Sequence, residues 1–226
     1  MANIASDTFT GTSGTELHAY DANWTEHTSY SSGNLILSDA NAVRRDTTNT
    51  SLYYHSATPP SADYSVSADL FAKGANGDDS NTGVCGRVST SANTFYMARF
   101  AFISAGTWGW QLYKFVGGTP TQLGSSSTDT LADESTTNIK LEMNGTAIKL
   151  YKAGSGTATI SATDSAITAA GKAGIRFAGV TAETNTTGMH ITSWTADTLG
   201  VTYTLYSPTM VYSAGSWYPQ VGETLS

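Results

Sequence analysis

Three groups of residues in this chain have types and spacings that bear on chemistry. The first is Arg99, Trp108 and Trp110. Indole rings stack on sugar faces and a guanidinium supplies hydrogen bonds, so the trio is a candidate carbohydrate-binding set. Tyr53 and Tyr54 are a weaker pair of the same kind. The second is Asp78-Asp79, in the loop Gly74-Ala75-Asn76-Gly77-Asp78-Asp79-Ser80-Asn81. Two carboxylates beside asparagine suit Ca²⁺, and they equally suit a solvated turn. The third group is the acids and nucleophiles that hydrolysis would need. A retaining glycosidase places two carboxylates about 5 Å apart across the sugar. Glu142 stands alone on its strand, and Asp133-Glu134 are adjacent, so in an extended chain they point to opposite faces. Gly154-Ser155-Gly156 reads as a turn rather than a nucleophile elbow. His18, His27, His55 and His190 show no metal-ligand spacing such as H-E-x-x-H. No catalytic set emerges, and the expectation is a non-enzymatic protein.

The elements that must position these residues are strands. The chain has 226 residues, of which 36 are Thr and 27 Ser, while only 13% are charged. Hydrophobic residues make up 39%, enough for a sizeable core. Thr, Tyr, Val and Ile fit strands, and Gly, Asn, Asp and Ser fit the turns between them. Eleven basic residues against 18 acidic ones give a net charge of −7, which argues against nucleic acid as a partner. The start, Met1 to Asp7, has neither a basic nor an apolar region of a signal peptide. The most hydrophobic stretch, Phe95 to Val116, is broken by Arg99, Gln111 and Lys114, so no membrane insertion is expected. The single cysteine, Cys85, reads as a small buried hydrophobe on a strand.

Alternation with period two is plentiful. Asp63 to Lys73 sets Tyr64, Val66, Ala68, Leu70 and Ala72 on one face. Ile139, Leu141 and Met143 alternate with lysine and glutamate up to Asn144-Gly145, a strong hairpin signal, after which Ile148 and Leu150 resume the pattern. Asp164 to Gly171 is the one stretch that suggests a helical turn. The pair Thr94–Ile103 and Trp108–Val116 is joined by Ser104-Ala105-Gly106-Thr107, which places Ile103 opposite Trp108. Arg99 then faces Leu112 and Met97 faces Lys114. That register puts Tyr96, Ala98, Phe100 and Phe102 with Gln111, Tyr113 and Phe115 on a core face. It leaves Phe95, Met97, Arg99 and Ala101 with Trp108, Trp110, Leu112 and Lys114 on a mixed, half-exposed face. A slip of one residue reverses both assignments.

The opening Ile4-Ala5-Ser6-Asp7-Thr8-Phe9-Thr10-Gly11-Thr12-Ser13-Gly14-Thr15-Glu16-Leu17, followed by Trp24, resembles the first strand and turn of concanavalin A-like, laminin-G-like jelly-roll domains. Lys172 to Phe177 is similar to the penultimate strand of that family, and His190 to Ala196 to its closing strand, which returns beside the first. The resemblance covers roughly residues 4 to 198. It implies an all-β, two-sheet antiparallel β-sandwich over residues 1–199, with a C-terminal extension over 200–226. It also implies a structural Ca²⁺ where first and last strands meet, near Asp7 and Asp197. The family's hydrolases carry an E-x-D-x-x-E strand, which this chain lacks.

The extension holds Tyr203, Tyr206, Tyr212, Trp217 and Tyr218 and, after Gly200, one ionisable side chain of the Asp, Glu, Lys, Arg or His type, Glu223. A neutral aromatic segment of this kind suits docking on another chain. The first functional reading is therefore a structural virion protein of a tailed bacteriophage: a capsid decoration, head-fibre or tail component at the virion surface. Its partners are other virion proteins or copies of itself, with glycan adhesion as an added property. The alternative is a carbohydrate-binding or lectin module. A polysaccharide-degrading enzyme with an unrecognised site is the third.

Overall fold

Among the described residues the alternating segments form eighteen strands. In chain order they are β1 (Asn3–Asp7), β2 (Trp24–Glu26), β3 (Leu35–Ser38), β4 (Ala42–Arg45), β5 (Ser51–His55) and β6 (Tyr64–Ala72). Next come β7 (Asn81–Val88), β8 (Phe95–Ser104), β9 (Thr107–Val116), β10 (Thr119–Gln122), β11 (Ser127–Asp129) and β12 (Ser135–Asn144). The last are β13 (Ala147–Lys152), β14 (Ile160–Thr163), β15 (Lys172–Ala178), β16 (Met189–Thr198), β17 (Thr209–Ser213) and β18 (Ser216–Gln220). A computed structural model describes residues 1–39, 41–73, 80–104, 106–200, 209–213 and 216–220, the last two segments as backbone. The helices among the described residues are one turn each, Leu17–Tyr20 and a 3₁₀ turn at Thr28–Tyr30. Residues 164–171, expected as a helical turn, run without helix between β14 and β15. No helix among the described residues is long and apolar enough to cross a membrane.

Two eight-stranded antiparallel sheets face each other. The first runs β14-β13-β12-β6-β16-β4-β3, with β1 also on β16; the second runs β10-β9-β8-β7-β15-β5-β2, with β11 also on β9. Strands β17 and β18 pair with each other in a separate two-stranded sheet. The core between the large sheets takes one face of each strand. Tyr64, Val66, Ala68, Leu70 and Ala72 of β6 are all buried in it, as the alternation requires. So are Ile139, Leu141, Met143, Ile148 and Leu150 of the β12–β13 hairpin, whose turn is Asn144-Gly145-Thr146 with Gly145 at φ +56°. Strand β1 returns beside β16 with Asn3 opposite Asp197 and Asp7 opposite Trp194. Cys85 is fully buried, and burial raises its thiol well above the ordinary range.

Strands β8 and β9 differ from expectation by one residue. The turn closes more tightly, with Ser104 opposite Thr107, but Ile103 is an extra residue in the ladder. Beyond this bulge Phe102 pairs with Trp108, Phe100 with Trp110, Ala98 with Leu112 and Arg99 with Gln111. Directly paired residues share a face, so both assignments on β9 reverse. Trp110 and Leu112 join Tyr96, Ala98 and Phe100 in the core, with Trp108 partly buried against it. Tyr113 and Phe115 instead join Phe95 and Met97 in a smaller apolar cluster on the outer face.

Candidate functional site

The bulge decides where the expected trio goes. Trp110 is 1% exposed; its ring packs edge-on to Phe100 and its Nε1–H donates to Asp129 Oδ2 at 2.5 Å. It is a core residue and not a ligand platform. Arg99 stands on the outer face of the second sheet, the opposite side from Trp108. The three residues are therefore not brought together. Of the tyrosine pair, Tyr53 is fully buried in the core and Tyr54 is half-buried against the outer cluster.

Trp108 keeps the features of a binding residue. It is half-buried, stacks at 14° on Phe100 with 5.7 Å between ring centroids, and meets Phe102 edge-on. A cleft of about 320 Å³ lies over it, lined also by Gly106, Thr107, Thr128, Asp129 and Thr130. The edge strand β11 supplies the polar wall, because Asp129 pairs with Trp108 in register. The Asp129 carboxylate is anchored: Oδ2 accepts from Lys152 Nζ at 2.8 Å and Oδ1 from the Thr130 amide at 2.9 Å. Burial by itself would raise the pKa of this carboxyl, but the bonds from Lys152, Trp110 and Thr130 outweigh burial and hold it below its usual value. The result is an indole beside a fixed carboxylate and three threonines, a set that packs on an apolar face and accepts hydroxyl protons. Sequence reasoning missed Asp129 because its partner in space, Trp108, is twenty-one residues away across a turn and a strand.

A second cleft, of about 310 Å³, is bounded by Arg87, Thr94, Ile167 and Lys172. Its guanidinium is already spent on the Ala62, Ile167 and Gly145 carbonyls.

The calcium expectation at the first and last strands is not met by the geometry. Asp7 and Asp197 lie at opposite ends of β1. Asp7 is occupied as a hydrogen-bond hub: Oδ1 accepts from the Phe9 amide and Tyr20 hydroxyl, Oδ2 from Trp24 Nε1 at 2.7 Å. Asp197 accepts from Asn3 Nδ2 at 3.3 Å. Among the described residues no group of three or more His, Cys, Asp or Glu side chains could hold a metal ion. Asp78 and Asp79 lie outside the described residues, as do Tyr203 and Tyr206. Tyr212 is on β17, and Trp217 and Tyr218 are on β18, elements described by their backbone.

Three of the four histidines are tied into the fold. His27 Nε2 meets the Ser89 carbonyl at 2.9 Å and its Nδ1 accepts from the Ser29 amide. His55 packs against Trp24 and Trp194. His190 Nε2 meets the Thr184 carbonyl at 3.0 Å. His18 is exposed beside Glu16. The lone carboxylate of β12, Glu142, is engaged by Lys140, Lys149 and the Tyr151 hydroxyl rather than by a second acid.

No family model and no curated protein matches the chain. Solved structures match it at low identity. A carbohydrate-binding module, CBM66 from Bacillus subtilis, aligns at TM-score 0.55 and 20% identity, covering 70% of this chain and 93% of the other. The carbohydrate recognition domain of Emp46p, in a metal-free form, aligns at 0.59 and 9%, covering 86% and 95%. A glycosyl hydrolase family protein from Mycobacterium fortuitum aligns at 0.57 and 9%, covering 87% and 100%. The two facing sheets, the closing strand beside the first and these likenesses together make the chain a concanavalin A-like jelly-roll β-sandwich.

Proposed function

We propose that this chain is a carbohydrate-binding, lectin-like module that holds a sugar without transforming it. The observation that carries this is the Trp108 cleft, where a half-buried indole lies beside an anchored carboxylate and threonine hydroxyls. Such a site takes a pyranose by its apolar face on the ring and by its hydroxyls at Asp129. The cleft has room for one or two sugar rings. Likeness of fold to binding modules supports the reading, while likeness to a hydrolase leaves catalysis to be decided by residues. Here the acids support binding, since Asp129 is fixed by Lys152 and no second carboxylate among the described residues lines the cleft.

The test is a glycan array followed by titration of the best ligand. Trp108→Ala is expected to weaken binding at least tenfold and, because the ring packs on Phe100 and Phe102, also to lower the melting temperature, so the titration is made well below the variant's transition. Trp110→Ala is expected to cost about 3 to 5 kcal/mol of stability instead, as large-to-small changes in a core do. An array without any bound glycan overturns the reading. Unchanged affinity in Trp108→Ala moves the site elsewhere.

A further inference from the structure

The outer face of the second sheet carries two arginines that pair with no carboxylate among the described residues. Arg99 of β8 and Arg176 of β15 are both in register with Gly83 of β7, the strand between them. Directly paired residues share a face, and neighbouring strands stand apart by a fixed spacing, so the two stems leave the sheet roughly 10 Å apart. Gly83 puts no side chain between them. A Cβ at this position would lie 2.0 Å from the Ala98 carbonyl oxygen, so glycine is required.

Both guanidiniums lie on aromatic rings. Arg99 sits 4.1 Å from the centre of Tyr113, with Nε donating to Gln111 Oε1 at 2.9 Å. Arg176 sits 4.9 Å from Phe115 and 5.4 Å from Tyr30, with Nη1 donating to Asn81 Oδ1 at 3.1 Å. Arg176 is 7% exposed, and its Nε is buried with no acceptor among the described residues. Neither arginine enters any ion pair among the described residues. Burial, above all, lowers the Arg99 guanidinium to about 10; Tyr113 opposes this and the neighbouring Arg176 adds to it.

Two cations held close together and partly dried carry an uncompensated cost. An arginine pair in such a place is ordinarily met by a carboxylate or another oxyanion, bound through the fork of N–H donors. The chain is rich in acids, 18 against 11 basic residues, yet the described part of this face has none opposite the pair. We propose that Arg99 and Arg176 bind the anionic group of an acidic saccharide, either the carboxylate of a uronic acid or a sulfate ester. Asn81, half-buried beside Arg176, is the neighbouring amide placed to take a ring hydroxyl, while Gln111 is engaged with Arg99 and Ser126 and holds the guanidinium in place. This inference rests on the carbohydrate-binding reading and narrows it to charged glycans, on a face distinct from the Trp108 cleft.

Calorimetric titration of the full chain tests it with four probes: an oligogalacturonate, its carboxyl-reduced neutral counterpart, a sulfated galactan oligomer and sodium sulfate. At low salt at least one acidic oligomer is expected to bind tenfold or more tightly than the neutral one, and the preferred oligomer identifies the group. That advantage is expected to shrink as salt is added and to vanish in Arg99→Gln, with neutral binding and melting temperature kept. Arg176→Lys, which retains the charge of a buried residue, is expected to keep part of the preference. Equal affinity for acidic and neutral oligomers overturns the inference and leaves the carbohydrate reading standing. Binding of sodium sulfate with none of the three oligomers overturns the inference, marks the pair as a site for an adventitious ion only, and leaves the carbohydrate reading to be decided by the glycan array.

Discussion

At the scale of single residues, burial of charge separates positions that look alike in the sequence. Glu183 is 4% exposed, its Oε2 accepts from the Arg45 amide at 2.9 Å, and its Oε1 has no partner among the described residues. Burial pushes its carboxyl up from 4.5 to about 7, with the Arg45 amide and the charges of Arg45 and Arg44 working against that rise. An acid whose folded value is raised binds more protons when folded, so its contribution to stability is present below pH 4.5 and is lost as pH rises through 7. His190, buried nearby on β16, runs the other way: burial lowers it from 6.5 to about 4, so stability is lost as pH falls through that window. Comparing wild type with Glu183→Gln isolates the glutamate. The variant is expected to gain roughly 1 to 3 kcal/mol relative to wild type between pH 4.5 and pH 8. Urea unfolding at three pH values measures this, and a difference that does not change with pH contradicts it.

At the scale of elements, glycines mark where strands turn and where they crowd. Gly145 lies in the β12–β13 turn at φ +56°, with open space where a Cβ would be. Gly145→Ala is expected to cost only the left-handed backbone strain, about 1 kcal/mol. Gly83 sits mid-strand, where a Cβ would collide with the backbone of β8. Gly83→Ala is expected to cost 2 kcal/mol or more, because two paired strands must move apart. Denaturation midpoints of the two variants give the comparison, and equal losses would show that the β7–β8 pairing yields more easily than its spacing suggests. The bulge at Ile103 belongs to this scale too. One extra residue turns Trp110 inward and Tyr113 outward, so it builds the Trp108 cleft on one side and the arginine face on the other.

At the scale of the whole molecule, the core between the sheets is continuous from Phe9 and Trp24 to Trp194 and Ala196, so early and late strands share one core, with Trp24 and Trp194 in direct ring contact. Cys85 lies outside that core, in the smaller cluster on the outer face, and is wholly buried there by Leu52, Phe95, Met97 and Phe115. Its thiol is expected to resist an aromatic disulfide reagent in the native state and to react at the rate of unfolding. Labelling that tracks the unfolding rate across urea concentrations fits a cluster that opens only with the fold. Fast native labelling would show that the outer face opens by itself.

The residues by themselves determined the fold class. Alternation on β6, β12 and β13 requires one buried face, and Asn144-Gly145 requires a reversal, because both are properties of neighbouring residues along the chain. The absence of a paired-acid strand was equally legible, since spacing alone shows it. The site was not. Trp108, Trp110 and Arg99 were visible as residue types, but their faces depended on a bulge at Ile103 that shifts the register by one residue. Asp129 and Arg176 stand twenty-one and seventy-seven residues from the partners that give them meaning. Strand pairing brings such distant residues together, and only the tertiary structure decides which of them meet.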